Sequence, residues 1–196
     1  MNILKKILLA IVAIFTFLLL LAAFIPKSYT ISVKETINKP KNEVYEYIRF
    51  LKNQEEYSIW VLEDPNLKPE ILGTDGSVGA IQKWNSTNDN VGEGEQEITA
   101  LTPDRIDVDL RFKRPFESTA KAANILKAVS ENQTELTAEF YSNDKWPMNL
   151  MSYFFGRKMI EEAEVKNLQN IKKNLESRPS VIPDNTDTPE LIESDK

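Results

Sequence analysis

A chain of 196 residues with 41% hydrophobic and 28% charged residues has an ordinary globular composition. With a leader and a tail set aside, about 150 residues remain, enough for one domain. The net charge of -6, without any cluster of Lys or Arg, argues against a nucleic-acid surface, and the lack of Cys and His excludes thiolate nucleophiles, disulfides, imidazole bases and the common zinc sites.

Ile7 to Ile25 is a run of nineteen uncharged residues. As a helix it would be about 28 Å long, close to the ~30 Å thickness of bilayer hydrocarbon. Residues 1–27 are therefore expected to form a membrane anchor with the span at 7–25. The competing reading is a cleaved signal peptide, with Lys5 and Lys6 as its basic region and Ala22-Ala23 as small residues near a cleavage site. Against it, the apolar run exceeds the usual ~7–15 residues and continues through Ala22-Ala23 into Phe24-Ile25. Lys5 and Lys6 precede the run and Lys27 and Lys34 follow it, a modest bias toward a cytoplasmic N-terminus with the domain periplasmic or extracellular.

After Pro26, the alternation of Tyr29, Ile31 and Val33 with Thr30, Ser32 and Lys34, continuing to Ile37, predicts a half-buried strand. Asn38-Lys39-Pro40 reads as a helix start, with Pro40 in the first turn and Val44, Tyr47, Ile48 and Leu51 on one face. A second short helix is expected between Asn53 and Asp64, ending near Trp60. From there the pattern becomes an antiparallel meander, with strands near 68–73, 79–85, 92–101, 105–113, 117–129 and 134–141. Turn-forming residues part them, as in Thr74-Asp75-Gly76-Ser77 and Thr102-Pro103-Asp104. Pro147 to Leu175 has helical periodicity, with Met151, Phe155, Met159, Ala163, Leu168, Ile171 and Leu175 as its apolar stripe and Lys158, Glu161, Glu162, Lys166, Lys172 and Lys173 on the wet side. Such a helix, roughly 40 Å long, is long enough to lie across a sheet as its lid. The acidic, turn-rich tail, residues 178–196, is expected to be disordered.

The order strand, two helices, six strands, long helix resembles the SRPBCC superfamily, of the START-like or polyketide cyclase/dehydrase type, over Tyr29 to Glu176. The residues that carry the resemblance are Ile37-Asn-Lys-Pro40 with Val44 and Ile48; Trp60 with Asp64-Pro65; Gly73-Thr-Asp-Gly76 with Val78-Gly79 and Trp84; Gly92-Glu-Gly-Glu-Gln96-Glu-Ile98; Leu110-Arg-Phe112 with Pro115-Phe116; and Trp146-Pro147-Met148. It implies an α+β helix-grip fold over residues 28–177, with an antiparallel sheet of about seven strands around the C-terminal helix. It also implies a cavity for a lipid, sterol, polyketide or other hydrophobic small molecule, with catalysis in some members only.

Trp60, Trp84, Phe112, Trp146, Phe154 and Phe155 are candidates to line that cavity, or are plain core. Gln96 is expected to point inward with Gly94 and Ile98, as a ligand contact or bonded to backbone. Glu93, Glu95 and Glu97 read as a solvated row on the opposite face, the alternative being a general-base pair. Arg111, Lys113 and Arg114 read as surface bases or as contacts to anionic lipid. The glycines suit turns and bulges better than a phosphate loop. No catalytic residue, metal or cofactor is predicted. A membrane-anchored binder of an apolar molecule is the favoured function, and a cyclase/dehydrase-type enzyme using a cavity carboxylate or Tyr153, or a structural or protein-interaction module, is the alternative.

Overall fold

The period-two segments pair into one antiparallel sheet of seven strands in the order β1-β7-β6-β5-β4-β3-β2. The strands are β1 (Ser28–Ile37), β2 (Glu70–Leu72), β3 (Ile81–Asn85), β4 (Glu93–Thr102), β5 (Arg105–Arg114), β6 (Ser118–Ser130) and β7 (Gln133–Asn143). The computed structural model describes residues 2–179, so most of the expected disordered tail lies outside the described residues.

Helix α1 (Ile3–Phe24) precedes the sheet, and α2 (Lys41–Arg49), a 3-10 turn (Leu51–Asn53), α3 (Gln54–Tyr57) and α4 (Ile59–Leu62) connect β1 to β2. Pro40 stands just before the first helical residue rather than within the first turn, where its fixed φ and missing N–H still suit a helix start. The single second helix expected before Asp64 is broken at Ser58, whose extended backbone separates α3 from α4.

One face of the sheet is dry. Ile37, Ile98 and Leu136 are fully buried there, and α2 lays Val44, Tyr47 and Ile48 against it. Each such side chain contributes roughly 1.5–3 kcal/mol by leaving water. The other face carries alternating charges. Arg111 bonds Glu95 at 2.6 Å and Glu97 at 2.8 Å, and Lys113 and Arg114 reach Glu93, so the acidic row and the three bases neutralise one another on the wet side.

The C-terminal helix begins as a short turn, α5 (Asn149–Met151), passes through a π-helical turn (Ser152–Gly156) and continues as α6 (Arg157–Glu176). Ala163, Leu168, Ile171 and Leu175 face inward as expected, but Met151, Phe155 and Met159 are exposed. The inward seam runs back from Leu168 through Glu164 and Ile160 at steps of four, and Ile160 packs on Ile31, Ala120 and Phe140. A stripe drawn through apolar residues alone drifts off this seam, because it skips an acid that lies on it.

Helix α6 runs along edge strand β1, tied by Lys172 to Glu35 at 2.8 Å, and against α3. Three asparagines along it bind the broken helical segment. Asn167 Oδ1 accepts from Ile59 N at 2.9 Å, and Asn170 Nδ2 and Asn174 Nδ2 donate to the carbonyls of Tyr57 and Glu56 at 3.0 Å each. Leu168→Ala should therefore cost about 2–5 kcal/mol in a denaturant melt of the full chain in detergent, whereas Phe155→Ala should stay within about 0.5 kcal/mol of the parent. A large loss at Phe155 would contradict this placement of the seam.

Candidate functional site

Because α6 keeps to the β1 side, the inner face is not closed evenly. Leu110, Phe112 and Ala122, all turned toward the helix layer, remain half-buried, as do Val33 on β1 and Ile160 on α6. Leu110, Phe112 and Trp84 thus make an incompletely covered apolar patch on the inner face, toward the end of the sheet where β1 begins. The ring of Trp84 meets Phe112 edge-on at 6.0 Å, and its Nε1 donates to the Val91 carbonyl at 3.3 Å. The ring lies where a side chain at position 94 would be: a Cβ on Gly94 would stand 2.6 Å from Trp84 Cζ2. Gly94 is therefore the space into which the indole fits.

Gln96 does point inward and is 7% exposed, yet its amide is already occupied. Its Nε2 donates to Gln54 Oε1 and to Gln82 Oε1, both at 2.6 Å, and Gln54 Nε2 donates back to Gln96 Oε1 at 3.2 Å. Gln82 Nε2 in turn donates to the Leu51 carbonyl at 2.9 Å. Neither the backbone nor a ligand is needed to satisfy Gln96. Its partners come from other elements and bind α3 and the 3-10 turn to the sheet.

The remaining predicted site residues divide. Trp84 and Phe112 are brought together in this patch. Trp60 is half-buried on α4, which touches α6. Trp146, Phe154 and Phe155 are 48%, 54% and 68% exposed, and stand on the outside of the entry to the C-terminal helix rather than between it and the sheet. The π-helical turn starts only after Met151, so side chains ahead of Arg157 are rotated away from the seam that α6 follows.

Glu164 is the group that the sequence reading passed over. It lies half-buried on the inward seam between Ile160 and Leu168, and enclosure pushes its carboxyl up to about 7, against the smaller opposing effect of its hydrogen bond with Asn167. The available signal was an acid four residues from an apolar residue on either side. The inner face thus carries a half-covered aromatic and aliphatic patch, and α6 carries one acid on its inward seam, beside Asn167 and near Tyr57. Among the described residues no group of three or more acids is placed to hold a metal ion.

Two depressions lie elsewhere. One of about 520 Å³ is on the wet face, lined by Arg105, Asp107, Asp109, Lys121 and Tyr141 among others, and one of about 260 Å³ lies beside Trp84, Gly94, Lys83 and Lys113. The larger is broad and charged, unlike the enclosed apolar sites that hold small molecules.

No family model matches the chain, and no curated protein matches it in sequence. Its fold is shared with solved structures. The protein MLL2253 from Mesorhizobium loti superposes with a TM-score of 0.58 at 15% identity, over 77% of this chain and 99% of that one. Ara h 8.0201 gives 0.56 at 12% identity over 77% and 99%. DynU16, a protein of the dynemicin biosynthetic locus, gives 0.54 at 14% identity over 76% of this chain and 47% of its own. These neighbours have Bet v 1/SRPBCC-type folds, and the chain shares with them the helix-grip architecture of a seven-stranded antiparallel sheet and a long C-terminal helix.

Replacing Gln96 by Leu leaves the oxygens of Gln54 and Gln82 without their donor, so the midpoint of denaturant unfolding should fall by about 1–3 kcal/mol in stability. An unchanged midpoint would mean that the trio is dispensable. For Glu164 the folded value of about 7 lies above its ordinary 4.5, so the fold favours the protonated form. Its contribution is full below pH 4.5 and is lost as pH rises through 7, by at most about 3 kcal/mol. Thermal melts between pH 5 and 8 should show falling stability in the parent and a flatter profile in Glu164→Gln; parallel profiles would rule out this assignment.

Proposed function

We propose that the chain is a membrane-anchored SRPBCC/START-like domain that holds a lipid-like or other hydrophobic small molecule in a hollow between the sheet and α6, without catalysing a reaction. The observation that carries this reading is the half-buried inner floor of Leu110, Phe112, Ala122 and Trp84. Apolar side chains that face a helix layer yet keep contact with solvent are best covered by an apolar guest.

Helix α1 is long and apolar enough to cross a bilayer, and it is exposed almost throughout, unlike the core helix of a soluble domain; a signal sequence passes the same test of composition. We take residues 7–25 as an uncleaved span because the apolar run continues past its small residues. Lys5 and Lys6 favour a cytoplasmic N-terminus, which puts the domain on the periplasmic or extracellular side.

A second reading is supported by Glu164. A carboxyl held near 7 can both give and take a proton at neutral pH, as an enzyme of the cyclase/dehydrase type requires. Tyr153, the other candidate, is stacked edge-on between Tyr29 at 6.3 Å and Phe154 at 5.6 Å.

Native mass spectrometry of the full chain released from lipid nanodiscs tests the binding reading. A retained adduct of one hydrophobic molecule is expected in the parent, with several-fold less in Ala122→Phe, whose ring would fill the floor. A bare parent, or an adduct indifferent to Ala122→Phe, would refute it. In intact spheroplasts, added protease should digest the domain, and full protection would reverse the orientation.

A further inference from the structure

The end of the domain nearest α1 is unusually greasy. Trp146, Met151, Phe154, Phe155 and Met159 are all about half or more exposed around α5 and the first turn of α6, and Phe116 is exposed at the β5–β6 turn at the same end of the sheet. The opposite end shows isolated smaller ones, Val129 beside the β6–β7 turn and Val78 in the β2–β3 loop. Scattered apolar residues on a surface need no partner, but a cluster of large ones does.

The position of this cluster is set by hydrogen bonds to α1. Asn149, 1% exposed, donates from Nδ2 to the carbonyls of Ala22 at 2.8 Å and Ile25 at 2.9 Å, groups that the end of a helix leaves without internal partners. Trp146 Nε1 donates to the carbonyl of Leu19 at 3.2 Å. Leu19 precedes Ile25 by six residues, about 9 Å along the helix axis. If Ile25 marks the edge of the hydrocarbon, the indole of Trp146 sits below that edge, with its polar N–H satisfied by α1 itself. Bases surround the cluster: Lys27 and Lys145 near the junction, and Arg157 stacked over Tyr153 at 5.9 Å. Aromatic side chains at the polar-apolar boundary with cations just above them suit a lipid interface.

We propose that the shoulder formed by Trp146, Met151, Phe154 and Phe155 is bedded in the leaflet from which α1 emerges, so that the half-covered inner face at the same end of the sheet lies toward lipid rather than bulk water. This inference rests on the reading of α1 as an uncleaved span. The occupant of the apolar surface is the bilayer. Neither a second protein nor a second copy is needed to explain it, because the hydrogen bonds to Leu19, Ala22 and Ile25 hold it beside a helix already in the hydrocarbon.

The chain has no Cys, so a single introduced thiol takes an environment-sensitive fluorophore at one place only. Full-length Phe155→Cys and Phe154→Cys, reconstituted in vesicles of phosphatidylcholine with a minority of phosphatidylglycerol, carry the label on the shoulder. Val129→Cys carries it at the far end and Leu9→Cys within α1. The expected result is emission shifted to the blue at 155 and 154, and quenching by lipids spin-labelled near the head group several-fold stronger than at 129, with thermal melts like the parent's. Labels at 155 and 154 that read as water while the label at 9 reads as hydrocarbon would overturn the inference and leave the anchor standing. A label at 9 that also reads as water would remove the anchor and the inference with it. Neither outcome bears on the adduct experiment, which asks only whether the hollow is filled.

Discussion

The structure depends on how the chain between β1 and β2 satisfies its backbone. Three short helical pieces follow α2, and each break leaves N–H and C=O groups without helical partners. Neutral amides from both layers answer them. Gln82 from the sheet takes the Leu51 carbonyl, while Asn167, Asn170 and Asn174 from α6 take Ile59 N and the carbonyls of Tyr57 and Glu56. The Leu51 carbonyl is buried and would cost about 1–3 kcal/mol unpaired, and the part-buried bonds to Ile59 N and the Tyr57 carbonyl help set where α6 lies. It is held over β1 and α3, while Leu110 and Phe112 on β5 and Ala122 on β6 stay half-buried on the inner face.

That offset divides the interior into two unlike parts. Around Ile37, Ile98, Leu136 and Leu168 the packing is closed and the side chains have lost nearly all contact with water. Around Ile31, Ala120 and Phe140 the cluster is small, and its neighbours Leu110, Phe112 and Ile160 are only partly covered. The closed part supplies the stability of the domain, and the open part leaves apolar side chains half-covered. Both follow from one placement of one helix. The open part also lies at the end where α1 joins, bound through Asn149 and Trp146, so the least covered interior and the most apolar exterior meet at the same boundary.

The sheet was legible in the sequence because period-two alternation and turn chemistry are local signals. Every strand was expected within two residues of where it lies. The helix seam was not, since its inward line passes through Glu164, and a search for apolar periodicity steps around an acid. The π-helical turn adds to the error by changing the rotation of everything before Arg157. Gln96 was legible as inward-facing from the alternation of Gly94 and Ile98, but not as satisfied. Its partners are 42 residues away in Gln54 and 14 in Gln82, a closeness that only the folded chain creates. Asn149 carried no local mark at all, because its role is to cap a helix that ended more than a hundred residues earlier.

Glu164 ties the inward seam of α6 to the pH around it. Enclosure raises its carboxyl to about 7. A guest with a cationic head beside it would favour the carboxylate and expel the proton, whereas an anionic or purely apolar guest would strengthen the protonated form. A guest that reached Glu164 would therefore report its charge class through the proton taken up or released on binding. The same coupling works in reverse: a guest that prefers the carboxylate binds more tightly as pH rises through this range, and a guest that prefers the acid binds less tightly.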